Sequence, residues 1–285
     1  MNINFLRQLT FKEQITLILN LIRNKFQSFS SPNQRFKTLY DQLVKEGVKF
    51  TKQGSDTRID GFNVNGKNIS LLMRRNTSDI DVFQQILIEE EFKPLLVLLR
   101  KLDLLNHSLN VVDAGGNVGF VSIYLSVFLR ISNLIVIEPA SDNINYLNLN
   151  LEINGISNYK IVQGGIHYED DKLSLNTSFR DGNFWSINLV KGQHDRNIPV
   201  YSVDTIRKNS NLDIIDILKI DIEGSEKGIF EHKNLDWLDI VRVITIEVHE
   251  EFISKEFVKK RLTDKLFEVF EQGELLIGYN TRLVC

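Results

Sequence analysis

The sequence predicts an α/β fold in which a mostly parallel sheet of seven strands is covered by helices on both faces. From residue 109 onward, short apolar segments alternate with helical segments, and a pair of strands follows them. Alternation of this kind is typical of parallel sheets, because each connecting helix covers one face of the sheet. We expect this sheet domain over residues 76–285 and a small α+β extension over residues 1–75.

The composition is that of a globular protein with acidic and basic residues interspersed. Hydrophobic residues make up 42% of the 285 positions, which is enough for a sizeable core, and the net charge is -3. No long basic run is present, so a nucleic-acid partner is not expected. The single cysteine, Cys285, excludes a disulfide within one chain and disfavours a cysteine-based metal site.

The beginning of the sequence is amphipathic. Apolar residues recur at helical spacing over residues 5–26, and this predicts a helix that packs on protein or, alternatively, rests on a membrane surface. Neither a signal peptide nor an apolar stretch of about 20 residues, the length that crosses a bilayer, is evident. We therefore expect a cytoplasmic protein without a transmembrane segment.

The rest of the extension contains small elements. A helix over 35–46 precedes three short strands with glycine or asparagine at their turns, over 48–51, 62–64 and 69–72. The polar run 77–79 provides an N-cap for a helix over 80–90, and another helix is predicted over 92–105.

The sheet domain begins with five apolar strands, predicted over 109–112, 134–137, 159–162, 214–220 and 241–248. Its helices are predicted over 118–130, 141–154 and 252–272, and its terminal strand pair over 275–277 and 281–284. The interval between residues 164 and 204 contains three strand-like segments instead of a helix. We therefore expect an inserted β element near the C-terminal edge of the sheet.

A glycine-rich corner follows the first of these strands. The strand ends in Asp113 and continues through Gly115, Gly116, Asn117 and Gly119 into a helix. Small residues at such a corner let the backbone approach a ligand closely at the start of a helix. Asn117 is a candidate either to cap this helix or to contact the ligand.

The next two strands end in residues that complete a candidate cofactor site. Glu138, followed by Pro139, ends the second strand, where a carboxylate can accept hydrogen bonds from two ribose hydroxyls. Gln163 and Gly164 follow the third strand, as an adenine contact or as a plain turn.

The glycine spacing does not match the dinucleotide pattern G-x-G-x-x-G. In addition, Asp113 would lie poorly beside a pyrophosphate but suits a cofactor with a cationic amino group. The motif favours S-adenosylmethionine over a dinucleotide, and a corner without any ligand is the third alternative.

Two carboxylates, Asp221 and Glu223, lie at the end of the fourth strand, just after Lys219. Carboxylates held so close together require positive charge nearby. A sulfonium cofactor, a bound cation or Lys219 itself would supply that charge, and a structural ion pair is the remaining alternative.

The fifth strand ends in Glu247 and His249, whose side chains point to the same face because side chains alternate along a strand. A histidine at this edge can take a proton from a hydroxyl near neutral pH. We expect a functional role for His249, with a structural role as the alternative.

Together these segments resemble the FkbM family of methyltransferases. The resemblance rests on Asp113–Gly119, Glu138–Pro139, Leu218–Glu226, Ile246–His249 and the lead-in over Thr77–Phe83. It implies a class I methyltransferase fold and methylation of a hydroxyl oxygen, with sugars, glycans and natural products as acceptor classes. Gly115-Gly116 replaces the Gly-Ala that is common in the family. The resemblance does not cover residues 1–75, which are candidates for acceptor selection.

The roles expected from this resemblance are those of direct methyl transfer. Asp113, Glu138 and the glycine corner would hold S-adenosylmethionine, and Asp221 and Glu223 would flank the methyl group or orient the acceptor. His249 would accept the proton with support from Glu247, and Trp185 is a candidate acceptor wall.

Other hypotheses remain open at this point. No metal is favoured, although a hard divalent cation held by Asp221, Glu223 and His249 is a variant of the hypothesis. A nicotinamide-dependent oxidoreductase and a non-catalytic assembly module are the alternative functions. The oligomeric state is not indicated by the sequence.

Overall fold

The structure, a computed structural model, describes residues 37, 40–41, 43–45, 47–75, 77–176, 188–190 and 197–284. The helix expected over residues 5–26 and the candidate acceptor wall Trp185 lie outside these residues. Within the described part of the chain, no helix has the length and hydrophobicity needed to cross a lipid bilayer.

The extension contains a small antiparallel sheet, as the sequence predicts. Its strands are β1 (Lys49–Gln53), β2 (Asp56–Val64) and β3 (Lys67–Met73), in that order. Three short helical elements follow, and they are α1 (Asp79–Phe83), a π-helical turn (Gln84–Ile88) and α2 (Lys93–Lys101). Within the predicted capping run, the Thr77 Oγ1 accepts from Asp79 N at 3.2 Å, whereas the Ser78 side chain makes no capping hydrogen bond.

The main domain alternates strands and helices, as expected. Its first half comprises β4 (Ser108–Ala114), α3 (Phe120–Phe128), β5 (Arg130–Glu138), α4 (Ser141–Ile153) and β6 (Tyr159–Gln163). The inserted element is a four-stranded sheet of β7 (Gly165–Ile166), β8 (Asp171–Asn176), β9 (Asn188–Val190) and β10 (Asn197–Tyr201). The second half comprises α5 (Val203–Asn209), β11 (Ile215–Ile220), α6 (Glu226–Phe230), a 3₁₀ turn (Asp236–Ile240), β12 (Val241–Glu247), α7 (Lys255–Asp264), β13 (Phe267–Gln272) and β14 (Leu275–Asn280).

The large sheet has seven strands in the order β13-β14-β12-β11-β4-β5-β6. Strand β14 is antiparallel to both of its neighbours, and the other six strands are parallel to one another. This confirms the expected class I methyltransferase fold, with a mostly parallel sheet and an antiparallel terminal strand. The C-terminal ends of β4, β11 and β12 meet at one edge, because these three strands are adjacent and parallel.

Two predicted elements near the end of the described chain are wrong. The single helix expected over residues 252–272 divides into α7 and β13, and Leu266 between them has a left-handed backbone with φ 64°. The partner of β14 is β13 rather than residues 281–284, which form a turn. The pairing of β13 with β14 overrides the helical pattern, because it completes the backbone hydrogen bonds at that edge of the sheet.

The extension packs onto the sheet domain through α4. Asn150 and Asn154, one turn apart, direct their amides at the outer edge of β3. The Asn150 Oδ1 accepts from Leu72 N at 2.7 Å, and its Nδ2 donates to Leu72 O at 3.1 Å. Asn154 makes the equivalent pair of hydrogen bonds with Ser70. These amides satisfy backbone groups that an edge strand otherwise leaves unpaired. The boundary expected between residues 75 and 76 stays a prediction.

Candidate active site

The glycine corner brings the ends of β4 and β11 into close contact. Gly115 has φ 81°, and a Cβ atom there would lie 1.7 Å from the carbonyl oxygen of Asp221. A Cβ atom at Gly116 would lie 2.1 Å from the Val136 side chain. Backbone conformation and packing therefore require glycine at Gly115, whereas an added Cβ at Gly116 would meet one methyl group of Val136. The corner lines a cavity.

Glu138, at the end of β5, is buried beneath this corner. Its Oε2 accepts from Asn117 N at 2.9 Å, and its Oε1 accepts from Ala140 N at 2.9 Å and from Asn143 Nδ2 at 3.0 Å. Burial raises the pKa of this carboxyl, although the three hydrogen bonds oppose the shift. Glu138 therefore holds the backbone of the loop in place through its hydrogen bond with Asn117 N.

A second layer of polar contacts holds Glu138 in place. Asn143 accepts from the Arg74 Nη1 at 2.9 Å, and Arg74 pairs with the fully buried Asp79, with Nη2 and Oδ1 2.7 Å apart. Asp79, which the sequence places in a helix cap, thus forms a buried ion pair with Arg74. These contacts link the residues just after β3 to the glycine corner.

Asp113 is fully buried and does not line the cavity. Its Oδ2 accepts from Ser122 Oγ at 2.6 Å, and its Oδ1 lies 3.3 Å from the Lys219 Nζ. Lys219 in turn donates to Gly115 O at 2.6 Å and lies 3.3 Å from Asp221 Oδ2. Burial lowers the pKa of Lys219, but the charges of Asp113 and Asp221 outweigh burial and raise the pKa overall. Asp113 therefore acts on the site through Lys219.

The cavity has a volume of about 410 Å³, within the usual range for ligand pockets. The glycine corner and the ends of β11 and β12 line it together. The structure brings together the four predicted catalytic residues, which are Asp221, Glu223, Glu247 and His249. Glu91 and Glu274 also line the cavity, and no local signal in the sequence marks these two carboxylates.

His249 is buried among three carboxylates. Its Nδ1 lies 3.1 Å from Glu226 Oε1, and its Nε2 lies 3.3 Å from Glu223 Oε2 and 3.9 Å from Glu247 Oε1. Burial lowers the pKa of His249, but the hydrogen bonds with Glu223 and Glu226 outweigh burial and raise the pKa to about 11. The free protein therefore carries a protonated His249 at neutral pH, whereas the predicted proton acceptor must be neutral.

Glu247 is surrounded by the negative charges of other carboxylates. The charge of Asp221 raises its pKa, as do burial and the charges of Glu91 and Glu274, to about 9. His249 opposes this shift. Burial, with smaller contributions from Asp221 and Glu274, also raises the pKa of Glu91 to about 6. A cavity that forces carboxylates to hold protons at neutral pH is suited to a positively charged ligand.

Glu226 is a site residue to which the sequence assigns no role, although it ends the run Leu218–Glu226. It is fully buried, and its Oε1 accepts from Ile222 N at 3.1 Å as well as contacting His249. The only sequence signal is its position, one turn after Glu223 at the start of α6.

The predicted adenine contacts lie away from the cavity, beside β5 and the inserted sheet. Gln163 is exposed and donates to Ser141 Oγ at 2.8 Å, and Gly164 N donates to Glu138 O at 3.1 Å. Pro139, which is partly buried, joins Glu138 to α4. Gly119 precedes α3, where a Cβ atom would lie 2.7 Å from the Leu147 side chain.

A wider groove of about 1090 Å³ adjoins the cavity. It lies between the π-helical turn with α2 and the turn that joins β13 to β14. Gln85, Glu91 and Glu274 line both spaces, so the groove leads to the carboxylates of the cavity. Its apolar part includes Val97, which is 47% exposed, and Phe270.

Curated relatives of the chain are methyltransferases. Methyltransferase 1 from Beauveria bassiana (strain ARSEF 2860) is 24% identical over 158 residues, or 48% of this chain and 64% of the relative. Methyltransferase sdnD from Sordaria araneosa is 25% identical over 191 residues, or 56% of this chain and 73% of the relative. The chain thus spans less than two thirds of the Beauveria protein.

Solved structures also resemble the chain. Methyltransferase FkbM from Methylobacillus flagellatus KT matches with a TM-score of 0.39 and 17% identity, over 60% of this chain and 44% of that one. M. capricolum TrmK in complex with S-adenosyl-homocysteine matches with a TM-score of 0.38 and 12% identity, over 65% and 67% of the two chains.

The family model gives the clearest result. Residues 113–273, more than half of the chain, match the methyltransferase FkbM domain. This range begins at Asp113 and includes the ends of β4, β5, β11 and β12, which carry the resemblance seen in the sequence. The chain belongs to the FkbM methyltransferase family.

Proposed function

We propose that the protein is an S-adenosylmethionine-dependent O-methyltransferase that acts on a hydroxyl of a sugar, glycan or natural-product acceptor. One observation carries this proposal. The cavity lined by the glycine corner is also lined by His249 and by five carboxylates, which are Glu91, Asp221, Glu223, Glu247 and Glu274.

The charges of the cavity fit S-adenosylmethionine better than a dinucleotide. S-adenosylmethionine carries a sulfonium, an amino group and one carboxylate without any phosphate, so its net charge is positive. When bound, it supplies an electrophilic methyl group. A pyrophosphate would add negative charge to a cavity in which Glu247 already has a raised pKa. This argues against the nicotinamide-dependent alternative.

We assign the binding of the cofactor to the corner and to the strand ends around it. Gly115, Gly116, Asn117 and Asp221 line the cavity, and Asp113 acts through Lys219. The remaining residues, which are Gly119, Glu138, Pro139, Gln163 and Gly164, lie outside that lining and would hold the part of the cofactor that extends beyond the cavity. Glu138 is the central one, because its carboxylate orients Asn117 and lies at the end of the strand next to β4.

The proton of the acceptor hydroxyl would pass to the cluster of His249, Glu223 and Glu247. In the free protein this cluster holds its protons tightly, since the pKa values of His249 and Glu247 are raised. A positive charge in the cavity lowers both pKa values, because it disfavours the protonated histidine and favours the ionised carboxyl. Proton acceptance is thereby coupled to the filling of the cavity.

The groove beside α2 supports an acceptor that is larger than the cavity. Its carboxylates can accept hydrogen bonds from several hydroxyls, and its apolar part can pack against a ring or a chain. These properties suit polyhydroxylated acceptors with an apolar portion.

The cofactor assignment is testable by calorimetric titration with S-adenosylmethionine, S-adenosyl-homocysteine and NADH. We expect the first two to bind and NADH not to bind. Glu138→Gln should weaken S-adenosylmethionine at least about tenfold, which is roughly 1.4 kcal/mol, whereas the exposed Glu152→Gln should leave its affinity unchanged. Binding of NADH without binding of S-adenosylmethionine would contradict the proposal.

The reaction is testable with a methyl-labelled cofactor and a panel of hydroxylated acceptors. His249→Gln should lower turnover by about 10²- to 10⁴-fold, the usual contribution of acid–base groups, with cofactor affinity retained. His107→Gln, at an exposed histidine, serves as the control. Unchanged turnover in His249→Gln would refute the role of His249, and the absence of any transfer would favour an assembly module.

A further inference from the structure

We propose that Asp221, Glu247 and the Nε2 of His249 bind a hard divalent cation, of the Mg²⁺ or Mn²⁺ class, at the acceptor side of the cavity. This inference deepens the proposed function. Cation binding by the cofactor-free chain is measurable whether or not that function holds. The set differs from the sequence-based variant, because Glu247 takes the place of Glu223.

The geometry of the three side chains fits a single ion. One ligand atom from each of Asp221, Glu247 and His249 lies within 4.8 Å of the others. Around an octahedral ion with bonds of about 2.1 Å, ligand atoms are separated by roughly 3 to 4 Å, so only small side-chain rotations are needed. The three residues are held by the adjacent ends of β11 and β12, which are rigid strands of the sheet.

The ring of His249 is already oriented as a metal ligand. Its Nδ1 faces Glu226, a fully buried carboxylate whose Oε1 also accepts from Ile222 N. Histidines that bind metals usually donate their other ring N–H to such a carboxylate, which fixes the tautomer. Its Nε2 faces Glu223 and Glu247 in the cavity. The proton that this nitrogen carries in the free protein must leave when the cation binds, because only a neutral imidazole is a metal ligand.

A hydroxyl at the floor of the cavity independently points to a hydrated ion. Thr245 is fully buried and lines the cavity, and its Oγ1 has no hydrogen-bond partner among the described residues. It precedes Glu247 by two positions on the same face of β12. A buried hydroxyl without a partner costs about 1–3 kcal/mol. A water molecule bound to the cation would supply the missing partner.

The ligand chemistry selects the class of cation. Two carboxylates and one imidazole suit a hard or borderline divalent ion, and Mg²⁺ and Mn²⁺ retain several waters when so few protein ligands bind them. Glu91 and Glu274 form a second acidic group with Glu247, which adds negative charge close to the site. A water position on this ion is where the acceptor hydroxyl would bind, with its pKa lowered by the cation. Because His249 and Glu247 would then be ligands, the hydroxyl proton would pass to Glu223, the remaining member of the cluster.

The proposal is tested by Mn²⁺ titration of the full chain without cofactor, followed by electron paramagnetic resonance of the free ion. We expect one Mn²⁺ per chain. Asp221→Asn and Glu247→Gln should abolish this binding, and Glu226→Gln should weaken it by about 10- to 100-fold, as is usual for a carboxylate that orients a ligand. Circular dichroism checks that each variant is folded.

Glu274→Gln is the matched control, because it removes a carboxylate of the same cavity that is outside the proposed set. It should retain the binding of Mn²⁺. Equal losses in Glu274→Gln and Glu247→Gln would overturn the site, since they would show either binding by the group of Glu91, Glu247 and Glu274 or attraction by overall charge. No binding of Mn²⁺ to the wild-type chain would also overturn it.

Methyl transfer gives a separate readout. If the cation serves the reaction, EDTA should abolish transfer, and Mg²⁺ or Mn²⁺ should restore it. Transfer that continues in EDTA would overturn the catalytic part of this inference and leave the O-methyltransferase proposal intact. Binding of Mn²⁺ without transfer to any acceptor would support the cation site and contradict the O-methyltransferase proposal.

Discussion

Gly115 shows how a single residue permits the site to form. Because Gly115 has no side chain, the carbonyl oxygen of Asp221 can lie close to its Cα. The Lys219 Nζ donates to the Gly115 carbonyl oxygen. The glycines of the corner are predicted from the sequence as places of close approach to a ligand. The structure shows that the segment at the end of β11, through the Asp221 carbonyl oxygen, makes the closest approach to Gly115.

Gly115→Ala should therefore destabilise the fold by more than about 3 kcal/mol, because overpacking against backbone cannot be relieved by a side-chain rotation. The control is Gly155→Ala, at a glycine with φ 67° and no atom within 4 Å of an added Cβ. It should cost only about 1 kcal/mol, from backbone strain. Urea unfolding measures both changes. Similar losses in the two variants would show that packing at Gly115 is unimportant.

His249 differs from its expected state because of its neighbours. The sequence indicates a histidine near a strand end, and an ordinary histidine is largely neutral at pH 8. Contacts with Glu223 and Glu226 instead raise its pKa to about 11. We expect both ring nitrogens of His249 to remain protonated at pH 8 in the free protein. Nitrogen chemical shifts of the labelled imidazole report this directly, and a neutral ring at pH 8 would contradict it.

At the scale of elements, the asparagine pair of α4 replaces a neighbouring strand for β3. The amides of Asn150 and Asn154 bind both backbone groups of Leu72 and Ser70, respectively. Neither residue stands out in the sequence, because asparagine is an ordinary residue on a helix. The docking of the extension on the sheet domain thus depends on two side chains whose role only their three-dimensional neighbours reveal.

Asn150→Ala should free the amide of Leu72 and cost about 1–3 kcal/mol for each buried group left unpaired. Hydrogen exchange should lose protection at Leu72 while the central strand β11 keeps its own. Asn145→Ala, on the exposed side of the same helix, should change neither quantity. Unaltered exchange at Leu72 would show that Asn150 does not hold β3.

Element boundaries were predictable where local patterns agree with the sheet. The strands β4 and β12 lie within one or two residues of their predicted limits, whereas β5 begins at Arg130, four residues earlier than predicted. The region after α7 was mispredicted because Phe267 and Val269 fit a helical face as well as a strand. Pairing with β14, which depends on the rest of the sheet, decides between the two.

At the scale of the whole molecule, the cavity gathers acidic residues from distant parts of the chain. Glu91 comes from the segment before α2, and Glu274 from the turn between β13 and β14. Their charges contribute to the raised pKa of Glu247. Stability of the entire protein is therefore linked to the protons that this cavity holds.

The direction of this linkage follows from the pKa values. Folding raises the pKa of His249 from 6.5 to about 11 and that of Glu247 from 4.5 to about 9. The folded state binds more protons than the unfolded state between these limits, so stability is lost as pH rises. The free energy of unfolding should fall from pH 6.5 to pH 9, as urea titrations at several pH values would measure.

Glu247→Gln should reduce this dependence on pH and stabilise the protein at pH 8. Glu247, with its pKa of about 9, must bind a proton in the folded state at that pH, whereas glutamine is neutral without one. Glu152→Gln, on the surface, should leave the slope as it is. A wild-type protein that gains stability between pH 6.5 and pH 9 would show that the cavity does not hold these protons.

The sequence by itself determined the succession of the parallel strands β4, β5, β6, β11 and β12 and the convergence of Asp221, Glu223, Glu247 and His249. Parallel strands place their C-terminal ends at one edge, and alternation selects the shared face, so both properties follow from local patterns. The tertiary structure decided the burial of Asp113, the contact of Glu226 with His249, and the presence of Glu91 and Glu274. These depend on desolvation and on distances between residues far apart in the chain, which local patterns do not encode.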